Sequence, residues 1–173
     1  MLPEPSDTRS VMPSTVHIGE GHLVSAMRRR RDLKVDGEPV KNSWIDSAES
    51  VDGGLSWRFL GKIAATHPPD GPSNGNPPAL LCLADGRLVC AYGYRAGERS
   101  GIRARFAHPG ATLWGEEIAI RDGAQYGDMG YPRMVARADG KLVTIYYFNS
   151  TEHPQQHIAA TIWDPSEYAE TSS

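Results

Sequence analysis

Four sets of side chains in this sequence are of types that do chemistry. Asp52, in Ser50-Val51-Asp52-Gly53-Gly54-Leu55-Ser56-Trp57, is a carboxylate in a turn, where exposure is expected. Arg28 to Arg31 are four consecutive guanidiniums, enough charge to hold an anion, although the usual setting of such a run is a solvated loop. The two thiols, Cys82 and Cys90, stand among Leu80, Leu81, Leu83 and Val89, so buried free thiols fit better than a disulfide or a metal pair. The six histidines show no ligand spacing such as H-E-x-x-H, which argues against zinc.

The elements that must position these groups repeat. Gly130 to Tyr147 has apolar and β-branched residues on both sides of Asp139-Gly140, a dipeptide suited to the positive backbone angles of a hairpin turn. Pro132, Gly140, Leu142 and Val143 have counterparts in Pro78, Gly86, Leu88 and Val89, and in Pro13, Gly21, Leu23 and Val24. Each copy keeps seven residues between proline and glycine, then His, Arg or Lys, then Leu-Val. Repeats of this spacing built from short strands predict an all-β propeller or a similar radial array of blades.

Length limits the count. At roughly 40 to 65 residues per blade, 173 residues supply about three four-stranded blades, fewer than the four to eight that close a ring. A net charge of -3 gives no general attraction to nucleic acid or to an anionic membrane. No apolar run approaches the roughly 20 residues of a membrane span, and Met1-Leu2-Pro3-Glu4-Pro5 lacks the regions of a secretory signal, so a soluble chain is expected.

In chain order, residues 1–12 read as a flexible lead-in and 13–173 as a partial propeller, with blades at about 13–65, 76–122 and 130–164. The first blade is expected to place strands at Thr15 to Ile18 and His22 to Met27, a loop from Arg28 to Asn42, and strands at Ser43 to Glu49 and Arg58 to Ala64. Thr66 to Pro78, with five prolines, reads as the crossing between blades. The third blade lacks sequence for a fourth strand, and the chain then runs into a polar end.

The segment Ser50 to Trp57 has the pattern Ser-x-Asp-x-Gly-x-Ser/Thr-Trp and resembles the Asp box of the sialidase superfamily. The resemblance implies a structural job: Asp and Ser tie down a turn between the outer strands, and Trp packs between blades. Asp52 is then not a catalytic carboxylate. Ala107 to Trp114 keeps the tryptophan but loses the serine, the aspartate and the final glycine, and reads as a decayed copy.

The resemblance also implies a site. In sialidases a tyrosine activated by a glutamate is the nucleophile, and three arginines clamp the carboxylate of the sugar. The family's tyrosine stands nine residues before the hairpin glycine, which is Tyr131 here. Capping the strand beside Pro132 is its structural alternative. Arg28 matches the second clamp arginine, and Arg29 points to the opposite face. Arg95 and Arg99 both suit the third, and Arg133 adjoins the nucleophile position. The partner glutamate is replaced by Met12, which leaves Asp128 as the carboxylate that could substitute. The first clamp arginine and the acid/base aspartate have no match, so the chain resembles the C-terminal half of a sialidase-like protein.

Two functions are compatible with these residues. One is a sialidase-like glycoside hydrolase, or part of one, acting on sialic acid or another anionic sugar; the other is a non-catalytic carbohydrate-binding or scaffold propeller. The expected partners are an acidic glycan and either a second copy or a separate N-terminal half, with no cofactor or metal.

Overall fold

The structure, a computed structural model, describes residues 8–66, 76–95, 99–125 and 127–171. They form eleven strands in three antiparallel sheets and one short helix. The first sheet runs in order β1 (Thr8–Gly19), β2 (His22–Val35), β3 (Glu38–Ser50) and β4 (Arg58–Ala65). The second holds β5 (Ala79–Cys82), β6 (Leu88–Tyr94), β7 (Gly101–Ala107) and β8 (Ile118–Arg121). The third has β9 (Gly130–Ala136), β10 (Leu142–Phe148) and β11 (His157–Trp163). Each sheet is a meander of hairpins, and three such sheets stacked face to face are the blades of a partial propeller.

Period-two patterning drives the stacking. On β6, Leu88, Cys90 and Tyr92 face the first blade and pack with Val24, Ala26, Ile45 and Ile63. Val89 and Ala91 point the other way, into a cluster with Phe106, Ile118 and Leu142. Nearer the site, Ile102, Ala124 and Met129 meet Tyr146 and Phe148 of the third blade. The middle blade is therefore covered on both faces. Cys82 and Cys90 are both free thiols, and burial pushes the Cys90 thiol up.

Two expectations are corrected, and one element is added. Residues 8–12 are not a lead-in: β1 begins at Thr8, which pairs with Arg31 of β2. Residues 1–7 and most of the proline-rich crossing, 67–75, lie outside the described residues. Arg28 to Asn42 is not a loop either. It forms the far end of a long hairpin, paired without interruption from Leu23↔Ser50 to Val35↔Glu38. The turn is Asp36-Gly37, with φ of 52° and 85°; the loop-type residues of this stretch sit at that reversal, while the arginines alternate along a strand. Finally, the polar end contains a short 3-10 helix, Pro165–Thr171. Tyr168 stacks on Phe106 at 6.2 Å, and Arg87 donates to the Pro165 and Tyr168 carbonyls, so the helix bridges the second and third blades.

The turn around Asp52 is closed by its own side chains. Ser50 Oγ donates to Asp52 Oδ1 (2.7 Å) and accepts from the Gly54 N–H (2.8 Å), while the Ser56 N–H donates to Asp52 Oδ1 (2.9 Å). Asp52 is thus a turn-forming residue, held down to about pKa 2 by these bonds, first by the Ser56 hydroxyl. Trp57 departs from expectation. It is only half-buried, and its indole N–H folds back to the Gly54 carbonyl (3.1 Å). A tryptophan between the first two blades is instead Trp114, packed against their shared cluster.

Candidate functional site

The three innermost strands, β1, β5 and β9, neighbour one another in that order. Two cross-strand hydrogen bonds tie this region: Ser14 Oγ accepts from the Leu80 N–H (2.9 Å), and Asn76 Oδ1 accepts from the Tyr131 N–H (3.1 Å). Asn76 is wholly buried. A Cβ at Gly93 or at Gly130 would stand 2.5 Å or 2.0 Å from its side chain, so both glycines exist to admit it. Asn76 thereby sets where the backbone of Tyr131 sits.

That backbone is left-handed. Tyr131 has φ 52°, and Met12, its counterpart in the first blade, has φ 55°. Both precede a proline, and both are positions where an ordinary L-residue is strained. The ring of Tyr131 remains 42% exposed and lies 5.8 Å from the ring of Tyr147.

Arg28, on β2, reaches the same place. Its guanidinium is near enough to the Tyr131 phenol for the two to couple electrostatically, and Nη1 lies 3.6 Å from the Met12 sulfur. The residue is 9% exposed, Nε has no hydrogen-bond partner, and among the described residues no carboxylate pairs with it. Burial lowers its pKa; the Tyr131 phenol works against that, and Arg30 and Arg95 add to it. A desolvated guanidinium with incomplete bonding favours an arriving anion.

Arg95, just after β6, donates from Nη2 to the Met129 carbonyl (3.0 Å) and to the Tyr147 hydroxyl (3.1 Å). Tyr147 donates in turn to Asp128 Oδ1 (2.7 Å), whose other oxygen accepts from Gln156 (3.0 Å). Burial, followed by the bond to Asp128, pushes the Tyr147 phenol up to about 12. Asp128 is therefore engaged by Tyr147 and Gln156, whereas the neighbour that couples electrostatically to Tyr131 is Arg28. The carboxylate expected to activate Tyr131 serves a different phenol.

Arg28, Arg95, Asp128 and Tyr131 are brought together, and two expected residues are not. Arg99 is exposed, lies 5.9 Å from the Tyr94 ring and lines a separate groove with Arg105, Trp114 and Glu117. Arg133 donates to the Pro132 carbonyl and sits opposite Ile145 on the outer face of the third blade. Asn76, Tyr147 and Gln156 went unforeseen. Counting back from the Asp139-Gly140 turn pairs Tyr147 with Tyr131; a register shift after Ile145 moves the observed partner to Gly130, and the count alone would have placed the two tyrosines together. For Asn76 the available signal was a polar residue ahead of Pro77-Pro78 with two glycines and no obvious turn to explain them.

As chemistry, the site offers a buried cation, two phenols and one exposed carboxylate. Among the described residues, no group of three or more His, Cys, Asp or Glu is placed to hold a metal ion. The groups suit an oxygen-rich ligand that carries negative charge.

Comparison with known structures agrees with the fold. A protein of unknown function from Dyadobacter fermentans superposes with a TM-score of 0.64 at 29% identity over 92% of this chain and 39% of its own. Zg3597, a family 117 glycoside hydrolase from the marine bacterium Zobellia galactanivorans, gives 0.59 at 17% identity over 91% of this chain and 53% of its own. The α-L-arabinanase of Penicillium chrysogenum gives 0.54 at 17% identity over 92% and 65%. No family model and no curated protein matches the chain.

The chain thus has the fold of propeller-type glycoside hydrolases. The likeness is one of fold and does not point to sialidases in particular, and the chain spans less than two thirds of each of these structures' length.

Proposed function

We propose that this chain carries the substrate-gripping part of a sialidase-like glycoside hydrolase propeller that recognises a terminal sialic acid or another anionic sugar. The observation that supports this most is Arg28, nine-tenths buried beside Tyr131 with no carboxylate partner among the described residues. In this reading Arg28 and Arg95 hold the sugar carboxylate. Tyr131 faces the anomeric carbon, and Tyr147 with Asp128 orients the surrounding hydroxyls. Each charge-assisted hydrogen bond to the carboxylate contributes roughly 1.5 to 3 kcal/mol before ordering costs.

A second reading, a non-catalytic binding propeller, draws on Met12 and Asp128. Methionine stands where the family places its base, and the one carboxylate at hand is bonded to Tyr147 rather than to Tyr131. Loss of a general base costs about 10² to 10⁴ in rate. Titration calorimetry with N-acetylneuraminic acid and with its methyl ester tests the shared part: the acid should bind weakly and the ester more weakly still. Equal affinity for acid and ester would remove the anionic-sugar reading. A fluorogenic sialoside then separates the two functions. The 173 residues alone are expected not to turn it over, and robust turnover that survives Tyr131→Phe would exclude the family's mechanism.

A further inference from the structure

Met12 occupies an unusual chemical position. Its thioether, a weak acceptor, stands 3.6 Å from Nη1 of a guanidinium that is nine-tenths buried and keeps Nε without a partner. Met12 is itself 42% exposed. Met129, by contrast, is wholly buried, and Met27 and Met134 are half-buried in the sheets. Among the described residues it is the methionine most open to a dissolved oxidant, and also the one facing an under-bonded cation.

We propose that Met12 is a site of reversible oxidation, and that its sulfoxide oxygen caps Arg28 and closes the site to anionic ligands; this rests on the reading of Arg28 as the anion-holding group. The oxidant is a peroxide. A sulfur lone pair attacks one peroxide oxygen, the O–O bond breaks, the S–O bond forms, and the second oxygen leaves as water after taking a proton. Sulfur loses two electrons and the peroxide gains them. A dithiol reductant reverses the step, giving the thioether, a disulfide and water.

The consequence follows from acceptor strength. A sulfoxide oxygen carries substantial negative charge and accepts hydrogen bonds strongly, whereas the thioether does not. Methionine oxidation ordinarily disrupts packing and lowers stability. Here the new oxygen meets Nη1, a buried donor whose acceptor at that point is only the weak thioether, so the product is anchored. The guanidinium is then occupied from within, and an external carboxylate must displace it.

The test uses the full chain treated with graded hydrogen peroxide, followed by peptide mapping, thermal melting and binding of N-acetylneuraminic acid. Met12 should gain oxygen before Met27, Met129 and Met134. Oxidised protein should melt no lower than reduced protein, and Arg28→Gln should lose that protection. Binding of the probe should fall roughly tenfold or more on oxidation and recover with a methionine sulfoxide reductase and dithiothreitol. In Met12→Leu, peroxide should change neither reading. If Arg28→Gln fails to fold, Met12→Gln, whose amide oxygen stands in for the sulfoxide, should reproduce the weakened binding without peroxide.

Equal oxidation of Met27 or Met134, or a melting point that falls on oxidation in the unaltered chain, overturns the proposal. A reduced protein that ignores the probe defeats the acidic-sugar reading instead, while the oxidation order and the Arg28-dependent melting still decide whether the sulfoxide caps Arg28.

Discussion

Met12 and Tyr131 stand at equivalent places in two blades and share one backbone conformation, with φ of 55° and 52°. Repetition of a strained geometry in two unlike residues shows that the strain belongs to the blade design and not to the side chain. Each residue sits immediately before a proline at a register shift of its innermost strand, between Val11 and Ser14 in β1 and between Gly130 and Arg133 in β9.

Relief of that strain should be measurable. A left-handed conformation costs an L-residue about 1 to 2 kcal/mol, and glycine gives back roughly 0.5 to 1 of this through added chain entropy. Met12→Gly should therefore raise stability by about 0.5 to 1 kcal/mol in urea unfolding. Met12→Val, branched at Cβ, should lower it. Equal losses in both variants would mean that the backbone there is not left-handed in solution.

Asn76 and Gly130 give a stricter test of the site's scaffold. A methyl group at Gly130 would lie 2.0 Å from Asn76 Oδ1, at a backbone φ of 121° that side chains avoid. Gly130→Ala should cost about 1 to 3 kcal/mol as an overpacked site. A milder change, Asn76→Ser, should keep the fold and loosen Tyr131, seen as faster exchange of the Tyr131 amide proton. Unchanged exchange would separate Asn76 from the placement of Tyr131.

The turn at Asp52 predicts an acid-dependent loss of stability. Its carboxyl in the folded chain is lowered from 3.8 to about 2, chiefly by Ser56 and then by Ser50. A depressed carboxyl contributes stability that is fully present above the unfolded value and is lost as pH falls through the folded one. The contribution should therefore fade between about pH 4 and pH 2. Melting curves of the unaltered chain and of Asp52→Asn should converge over that interval and stay apart above it. Curves that run parallel from pH 5 to pH 2 would remove the structural role of Asp52.

Assembly is the remaining prediction. The outer face of the third blade exposes Val135 (55%), Ile145 (43%), Ile158 (76%) and Ile162 (54%). These residues share a face, because Val143 pairs with both Val135 and Ile162 while Tyr147 pairs with Ile158. Water against such a patch favours association. Sedimentation should show self-association, or a complex with a separate half if one is supplied, and Ile158→Lys with Ile162→Lys should weaken it. A cooperative monomer at all concentrations would contradict this.

The repeat was readable because it rests on positions that backbone geometry restricts: the hairpin glycines Gly21, Gly86 and Gly140 all have positive φ, and Leu-Val follows each of them. Arg28 and Tyr131 could be placed from the same spacing, since each is tied to a turn by counting. Asn76 could not. Its bond to the Tyr131 N–H depends on which blade meets which, a relationship between residues distant in sequence that no local pattern encodes. Arg28 to Asn42 misled for another reason. Charge and proline resemble loop chemistry, but a two-stranded ribbon needs only alternation and a competent turn, which Asp36-Gly37 supplies.

That ribbon has a property of its own. Beyond the pairing of Thr8 with Arg31, β2 and β3 run on as two strands, and among the described residues none from Asp32 to Lys41 belongs to a core cluster. Its reach is thus decoupled from what holds the blades together. Inserting or deleting one residue on each side of the Asp36-Gly37 turn alters it by about 3.3 Å and swaps the faces that the tip presents. Two residues on each side alter the reach and keep the faces. The projection is a graft point, where length can be adjusted in steps while the blades below keep their register.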